Sequence, residues 1–243
     1  MWDQILQVFE VFGYLFVLVA AVFAMITSAL VNSTYRRYSK QPTRRGLTGA
    51  QAAQRVLHQN GITDVAIAHT PGTLTDHYDP RNRTIFLSDA VYDQSSAAAV
   101  GVAAHEAGHA VQHAKGYVPL RVRNAVIPVT NIGSRLAMPL ILIGLFLSLY
   151  LRSAIGYDLA LIGVFGYGLV VFFQLVTLPT EFNASRRALV ALEEGNLLDQ
   201  DELGAARKTL RAAALTYVAA LAVSLMQFLR LLALVTGQRG RRQ

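Results

Sequence analysis

The strongest pattern along the chain is a set of four long apolar runs separated by polar segments. The first run, residues 11–31, contains no ionisable side chain. At about 1.5 Å per residue, a helix of this length crosses the roughly 30 Å hydrocarbon layer of a membrane. Later runs occupy residues 137–151, 159–180 and 212–229. The pattern therefore predicts a multi-pass membrane protein with about four transmembrane helices.

A cleaved signal peptide is the alternative interpretation of the first run. Signal peptides carry a basic segment before a shorter apolar core. Here the preceding residues include Asp3 and Glu10 and no basic side chain. We therefore predict that residues 1–31 form an N-terminal transmembrane anchor.

The second and third apolar runs are separated only by residues 152–158. Because this connection is so short, the two helices must lie side by side and antiparallel. Both helices contain glycines that would allow close contact in lipid, namely Gly144, Gly163, Gly166 and Gly168. The sequence therefore predicts a transmembrane hairpin within residues 125–180.

The polar segment after the first run predicts a small domain with helices and strands. Thr48, followed three residues later by Gln51, forms a capping-box pattern and predicts a helix over residues 50–59. Runs of β-prone residues at 65–68 and 84–87 flank a turn-like segment at 76–82, which predicts a hairpin or two adjacent strands. Ser95 or Ser96 can cap a further helix over residues 97–114.

Composition and charge narrow the possible functions. Of the 243 residues, 53% are hydrophobic and only 15% are charged, which supports a membrane protein. The chain has no cysteine, so a metal ion would need His, Asp or Glu ligands. The net charge of +7 raises the possibility of nucleic-acid binding. We exclude that function because the aromatic residues concentrate in apolar runs instead of alternating with basic residues.

Basic residues near the ends of the apolar runs predict the orientation of the chain. Five of them follow the first run, and none precedes it: Arg36, Arg37, Lys40, Arg44 and Arg45. This places residues 32–124 in the cytoplasm, and the basic segment 181–211 is cytoplasmic for the same reason. The fourth run either crosses and carries the basic tail outside, or packs without crossing and returns the tail to the cytoplasm.

The candidate chemistry lies in the helix predicted over residues 97–114, where His105, Glu106 and His109 form an HExxH pattern. Positions four apart on a helix lie on one face, about one turn apart, so both imidazoles can reach one ion. Glu106 lies beside them, where a general base would act on a water molecule. The alternative is a helix whose histidines simply hydrogen-bond to neighbouring groups.

A catalytic zinc site usually has three protein ligands, so two histidines leave one ligand to be found. Glu181 is our candidate, because it begins the polar segment to which the predicted hairpin returns the chain. Pro179 favours a helix start at this point. His113 is the alternative, but it lies about 80° around the helix from His105 and two turns along it.

Three motifs in order resemble one family. They are, in chain order, the sequences DHYDPR from residue 76, HEAGHAVQ from residue 105 and LPTEFNASRRAL from residue 178. The chain is similar to the YugP-type membrane proteases, the neutral zinc metallopeptidase group of gluzincins. The resemblance implies a zinc-dependent endopeptidase with His105, His109 and Glu181 as ligands and Glu106 as the catalytic residue. The family pattern has Asp where this chain has Asn183, and an amide cannot supply that charge.

Two residues of the second motif are candidates for contacts with substrate. His77 and Tyr78 could donate hydrogen bonds to the oxyanion that forms during peptide hydrolysis, or they could be ordinary turn residues. The nearby strand could instead offer an edge to which an extended peptide adds.

The predicted fold is a mainly α membrane protein with a small zincin-like (α+β) cytoplasmic domain. Its segments are the anchor at 1–31, the zincin-like region at 32–124, the hairpin at 125–180, the helical segment with the third ligand at 181–211, and the last membrane helix with a basic tail at 212–243. The predicted function is zinc-dependent hydrolysis of peptides or membrane proteins at the cell membrane, in contact with lipid. The alternative is a catalytically inactive membrane scaffold or chaperone stapled by zinc.

Overall fold

The computed structural model describes residues 2–240, and most of them are helical. In chain order the elements are α1 Trp2–Tyr38, α2 Gly49–Gln59, β1 Ala66–Thr70, β2 His77–Asp79, β3 Thr84–Ser88, α3 Ala97–Ala114, α4 Val118–Tyr150, α5 Ala154–Glu194 and α6 Gln200–Gly240. Arg241 and Arg242 of the predicted basic tail lie outside the described residues.

Four helices, α1, α4, α5 and α6, are long and apolar enough to cross a membrane, as predicted. Each extends well beyond its apolar run. The prediction that Pro179 begins a new helix is wrong, because α5 continues through it to Glu194. An interior proline costs about 3 kcal/mol. Beyond it, Ala188 and Leu192 are fully buried in a hydrophobic core, and this packing favours continuation of the helix.

The three strands form one sheet in the order β1-β3-β2. The prediction of two adjacent strands is confirmed, because β1 and β3 pair in parallel. The alternative prediction, a hairpin of these two strands, is wrong. The segment 76–82 is not simply a turn, because β2 within it pairs antiparallel with β3. Asp76 fixes the start of β2 by accepting hydrogen bonds from the main-chain nitrogen and the hydroxyl of Ser88, at 2.8 and 2.9 Å.

The chain divides into two compact units. Among the described residues, the polar unit comprises 27–121 and 178–216, and the apolar unit comprises 2–26, 122–177 and 217–240. In the polar unit, α2, α3, β3 and parts of α5 and α6 enclose one hydrophobic core that is rich in alanine. Thr48 and Gln51 form the predicted capping box at the start of α2, and Ser96 caps α3.

In the apolar unit, Gly144, Gly163 and Gly166 lie against backbone atoms of the opposite hairpin helix, whereas Gly168 lies against the side chain of Phe228 in α6. A Cβ atom added to Gly144 would lie 2.4 Å from the nitrogen of Ala160, and one added to Gly163 would lie 2.7 Å from the oxygen of Ala137. Only glycine permits this approach, as the predicted hairpin requires.

Candidate metal centre

The two histidines of the HExxH pattern lie on α3, the most buried helix of the polar unit. They are one turn apart, so their side chains leave the same face of the helix. The ring centroids of His105 and His109 are 4.7 Å apart, with the ring planes nearly perpendicular. Both rings can therefore direct one nitrogen towards a common point.

Glu181 reaches that point from α5. Its Oε2 atom lies 3.3 Å from Nε2 of His105 and 3.5 Å from Nε2 of His109. The three potential donor atoms, one from each residue, all lie within 4.8 Å of one another. The carboxylate is buried, with an exposed side-chain fraction of 3%. The structure thus brings together the three residues that were predicted from the sequence as ligands.

The chemistry of these donors fits zinc. Two imidazole nitrogens and one carboxylate oxygen are the kinds of ligand that Zn²⁺ takes, and three protein groups leave a coordination position for water or substrate. Calcium or magnesium would require mostly oxygen ligands. The donor set therefore fits a catalytic zinc site better than a site for a hard cation.

Gly108 explains how α3 and α5 approach closely enough to share this site. A Cβ atom at this position would lie 2.6 Å from the main-chain oxygen of Ala184. Ala184 itself is fully buried. Because the obstacle is backbone, any side chain at position 108 would separate the two helices. The glycine within the HExxH pattern is thus a packing requirement of the site.

Glu106 lies between the two histidines in sequence and is not one of the three clustered donors. It is almost fully buried, with 8% of its surface exposed. Burial raises the pKa of its carboxyl group to about 7; His105 opposes this change, whereas Glu181 and Asp76 add to it. A carboxyl group with such a pKa can both accept and release a proton near neutrality.

Each histidine has a second partner on its other ring nitrogen. Nδ1 of His105 lies 3.0 Å from the hydroxyl of Ser185, and Nδ1 of His109 lies 3.0 Å from Oε1 of Gln112. Such partners orient metal-binding imidazoles. Neither Ser185 nor Gln112 was predicted from the sequence. Their spacing was the available signal, because Gln112 follows His109 by three residues and Ser185 follows Glu181 by four, each about one helical turn.

The other candidates lie outside the three-donor group. Nδ1 of His113 hydrogen-bonds to the hydroxyl of Tyr78 at 2.8 Å. His77 stacks on Phe86, with the ring centroids 5.0 Å apart, and its side chain is exposed. His113 is therefore paired with β2, and the preference for Glu181 agrees with this geometry. The roles of His77 and Tyr78 towards an oxyanion remain predictions.

Comparison with known proteins places the chain in a family. The chain is 45% identical over 201 residues to "Putative membrane protease YugP" of Bacillus subtilis (strain 168). The aligned residues cover 82% of this chain and 86% of that protein. No solved structure matches the chain significantly. The family model described as "Putative neutral zinc metallopeptidase" matches residues 13–236. The chain therefore belongs to the neutral zinc metallopeptidase family.

Proposed function

We propose that this protein is a membrane-embedded zinc-dependent endopeptidase. The main support for this proposal is that the potential donor atoms of His105, His109 and Glu181 lie close together, next to the buried carboxyl group of Glu106. The two histidines and Glu181 hold the ion, and Glu106 is left to act on the reactants. Family membership supports this assignment.

The proposed reaction is hydrolysis of a peptide bond. When bound, zinc supplies Lewis acidity and lowers the pKa of a water molecule. Glu106 accepts a proton from the attacking water and then donates it to the leaving amine. His105, His109 and Glu181 fix the position of the site relative to Glu106, so that the proton is transferred over a short path.

The substrates we propose are membrane proteins, or peptides close to the membrane surface. β2 lies at the edge of the sheet. An edge strand offers main-chain groups to an extended peptide, which would then add as a further strand. The exposed His77 belongs to this strand and would lie beside a peptide bound there.

Replacement of Glu106 tests the enzyme against the scaffold alternative. The Glu106→Gln variant should retain zinc while cleavage of casein falls by about 10²-fold or more, because an amide cannot accept the proton. A purely structural zinc site has no need of a carboxylate at this position. Cleavage at the parental rate by the zinc-loaded variant would refute the proposed mechanism.

We also propose that the site faces the cytoplasm. The five basic residues from Arg36 to Arg45 follow the first apolar run, and this excess favours the inner side. Within the apolar unit, the guanidinium of Arg230 lies 3.7 Å from the ring centroid of Tyr14. This contact brings the last third of α6 to the start of the apolar run in α1, which favours a fourth helix that crosses fully.

Cysteine labelling tests this orientation, because the chain has no cysteine of its own. In intact cells a membrane-impermeant thiol reagent should label Ser153→Cys, between α4 and α5, and should not label Ser39→Cys. After lysis both variants should react. Labelling of position 39 before lysis would place the site outside.

A further inference from the structure

Gln112 links the two helices that carry the proposed zinc ligands. It is fully buried and lies three residues after His109 on α3. Its Oε1 atom lies 3.0 Å from Nδ1 of His109. Its Nε2 atom donates to the main-chain oxygen of Thr180, at 2.8 Å, and to Oδ1 of Asn183, at 3.0 Å, both on α5.

The chemistry of the neighbours fixes which end of the Gln112 amide faces His109. The main-chain oxygen of Thr180 can only accept a hydrogen bond, so the amide nitrogen must face it. The oxygen of Gln112 then faces His109. The two ends of an amide have nearly the same shape, so the hydrogen-bonding groups around it decide its orientation.

A second group fixes the same orientation independently. Nε of Arg187 donates to Oδ1 of Asn183 at 2.7 Å. A guanidinium can only donate, so the Asn183 atom that it contacts is the oxygen. Gln112 can meet that oxygen only with its own N–H group. Hydrogen-bond direction is thus set at two places, by Thr180 and by Arg187, and both lead to the same arrangement.

The arrangement has a consequence for the imidazole of His109. Since Oε1 of Gln112 can only accept, Nδ1 of His109 must carry a hydrogen, so in the neutral ring Nε2 carries the lone pair. Nε2 is the nitrogen that faces Glu181, 3.5 Å away. We propose that Gln112, oriented by Asn183 and Arg187, is a positioning residue that holds His109 in its metal-binding tautomer, an inference that rests on the proposed zinc site.

His105 provides the contrast. Its Nδ1 atom contacts the hydroxyl of Ser185. A hydroxyl can donate or accept, so this contact is compatible with either tautomer of the ring. Ser185→Ala therefore removes a hydrogen bond to a proposed ligand without removing a constraint on its tautomer, and it serves as the matched control.

The hydrogen bonds among Gln112, Asn183 and Arg187 also give the amide at position 183 a role. Asn183 takes part through its oxygen alone, which accepts from both Gln112 and Arg187. An aspartate could accept the same two hydrogen bonds. Position 183 thus needs a hydrogen-bond acceptor, and Asn183→Asp should preserve the orientation of Gln112. By contrast, Gln112→Met fills a similar volume but removes all three hydrogen bonds of the Gln112 amide.

The experiment uses the full chain purified in detergent with ¹⁵N-labelled histidine. In zinc-free protein, at a pH alkaline enough to keep the imidazoles neutral, NMR should show the His109 ring protonated at Nδ1, with the signal assigned from its loss in His109→Asn. In Gln112→Met, a population protonated at Nε2 should appear. Zinc affinity, measured by competition with a chelator, should fall by about 10- to 100-fold in Gln112→Met. It should fall less in Ser185→Ala and stay near the parental value in Asn183→Asp.

The outcomes separate this inference from the proposed function. Parental tautomer and zinc affinity in Gln112→Met would overturn the positioning role, whatever the activity of the parent. If the parent chain binds no zinc, the proposed function fails, while the tautomer measurement still tests the network. If Gln112→Met does not fold, Gln112→Leu takes its place, with circular dichroism as the check on folding. A loss of affinity in Ser185→Ala as large as that in Gln112→Met would also overturn the inference.

Discussion

The two units of this protein use the same device, a glycine against backbone, for different purposes. In the polar unit, Gly108 lets α3 approach Ala184 on α5, and the approach brings the proposed ligand side chains together. In the apolar unit, Gly144 lets α4 approach Ala160 on α5. The ionisable side chains clustered as donors all lie in the polar unit. Close helix packing therefore supports chemistry only where the sequence also supplies donors at the contact.

The energetics of the two contacts also differ. In the polar unit, helix contact removes apolar surface from water, as shown by the many alanines of α3 that are fully buried. Between helices in lipid this driving force is absent, and van der Waals packing of small residues replaces it. A substitution at Gly108 should therefore lower both the stability of the protein and its zinc affinity, and a substitution at Gly144 should lower stability alone.

The largest expected effect comes from removal of the third donor in the polar unit. Glu181→Ala leaves two histidine ligands, so zinc retained after dialysis should fall from about one ion per chain to nearly none. His113→Ala should keep its zinc, because His113 is paired with Tyr78. Metal analysis of both purified variants makes the comparison. Zinc loss confined to the His113 variant would reverse the ligand assignment.

Gly108→Ala should have the next largest effect. The added Cβ would lie 2.6 Å from the oxygen of Ala184, so α3 and α5 must separate. Overpacking of this kind typically costs about 1–3 kcal/mol, and we expect weaker zinc binding as well. The matched control is Gly204→Ala, whose added Cβ has no atom within 4 Å and should leave zinc affinity unchanged. Equal melting temperatures and zinc affinities for the two variants would contradict the role given to Gly108.

Gly144→Ala should have the smallest effect on the site. Its Cβ would meet the nitrogen of Ala160 at 2.4 Å, so the hairpin should lose about 1–3 kcal/mol of stability. Thermal unfolding in detergent measures this loss, and chelator competition should give the parental zinc affinity. A drop in affinity matching that of Gly108→Ala would show that the two contacts are not functionally separate.

Much of the fold and of the candidate site could be predicted from the sequence because the signals were local. Apolar length marked the helices that can span a membrane, and four-residue spacing placed His105 and His109 on one face of α3. Glu181 was predicted as the third ligand because the hairpin returns the chain to the same side. The capping box at Thr48 was also predicted correctly, because it depends only on residues three positions apart in the chain.

Other features depend on contacts between residues distant in the chain, and these needed the tertiary structure. β2 has three polar or aromatic residues without apolar alternation, and it is a strand because β3 pairs with it. α5 continues through Pro179 because residues beyond it are buried in the core. Gln112 and Asn183 are 71 residues apart, and their hydrogen bond exists only because Gly108 lets α3 meet α5. Sequence thus determined which residues supply the donors, whereas packing decided how those donors are oriented, because hydrogen-bond direction depends on which groups meet in space.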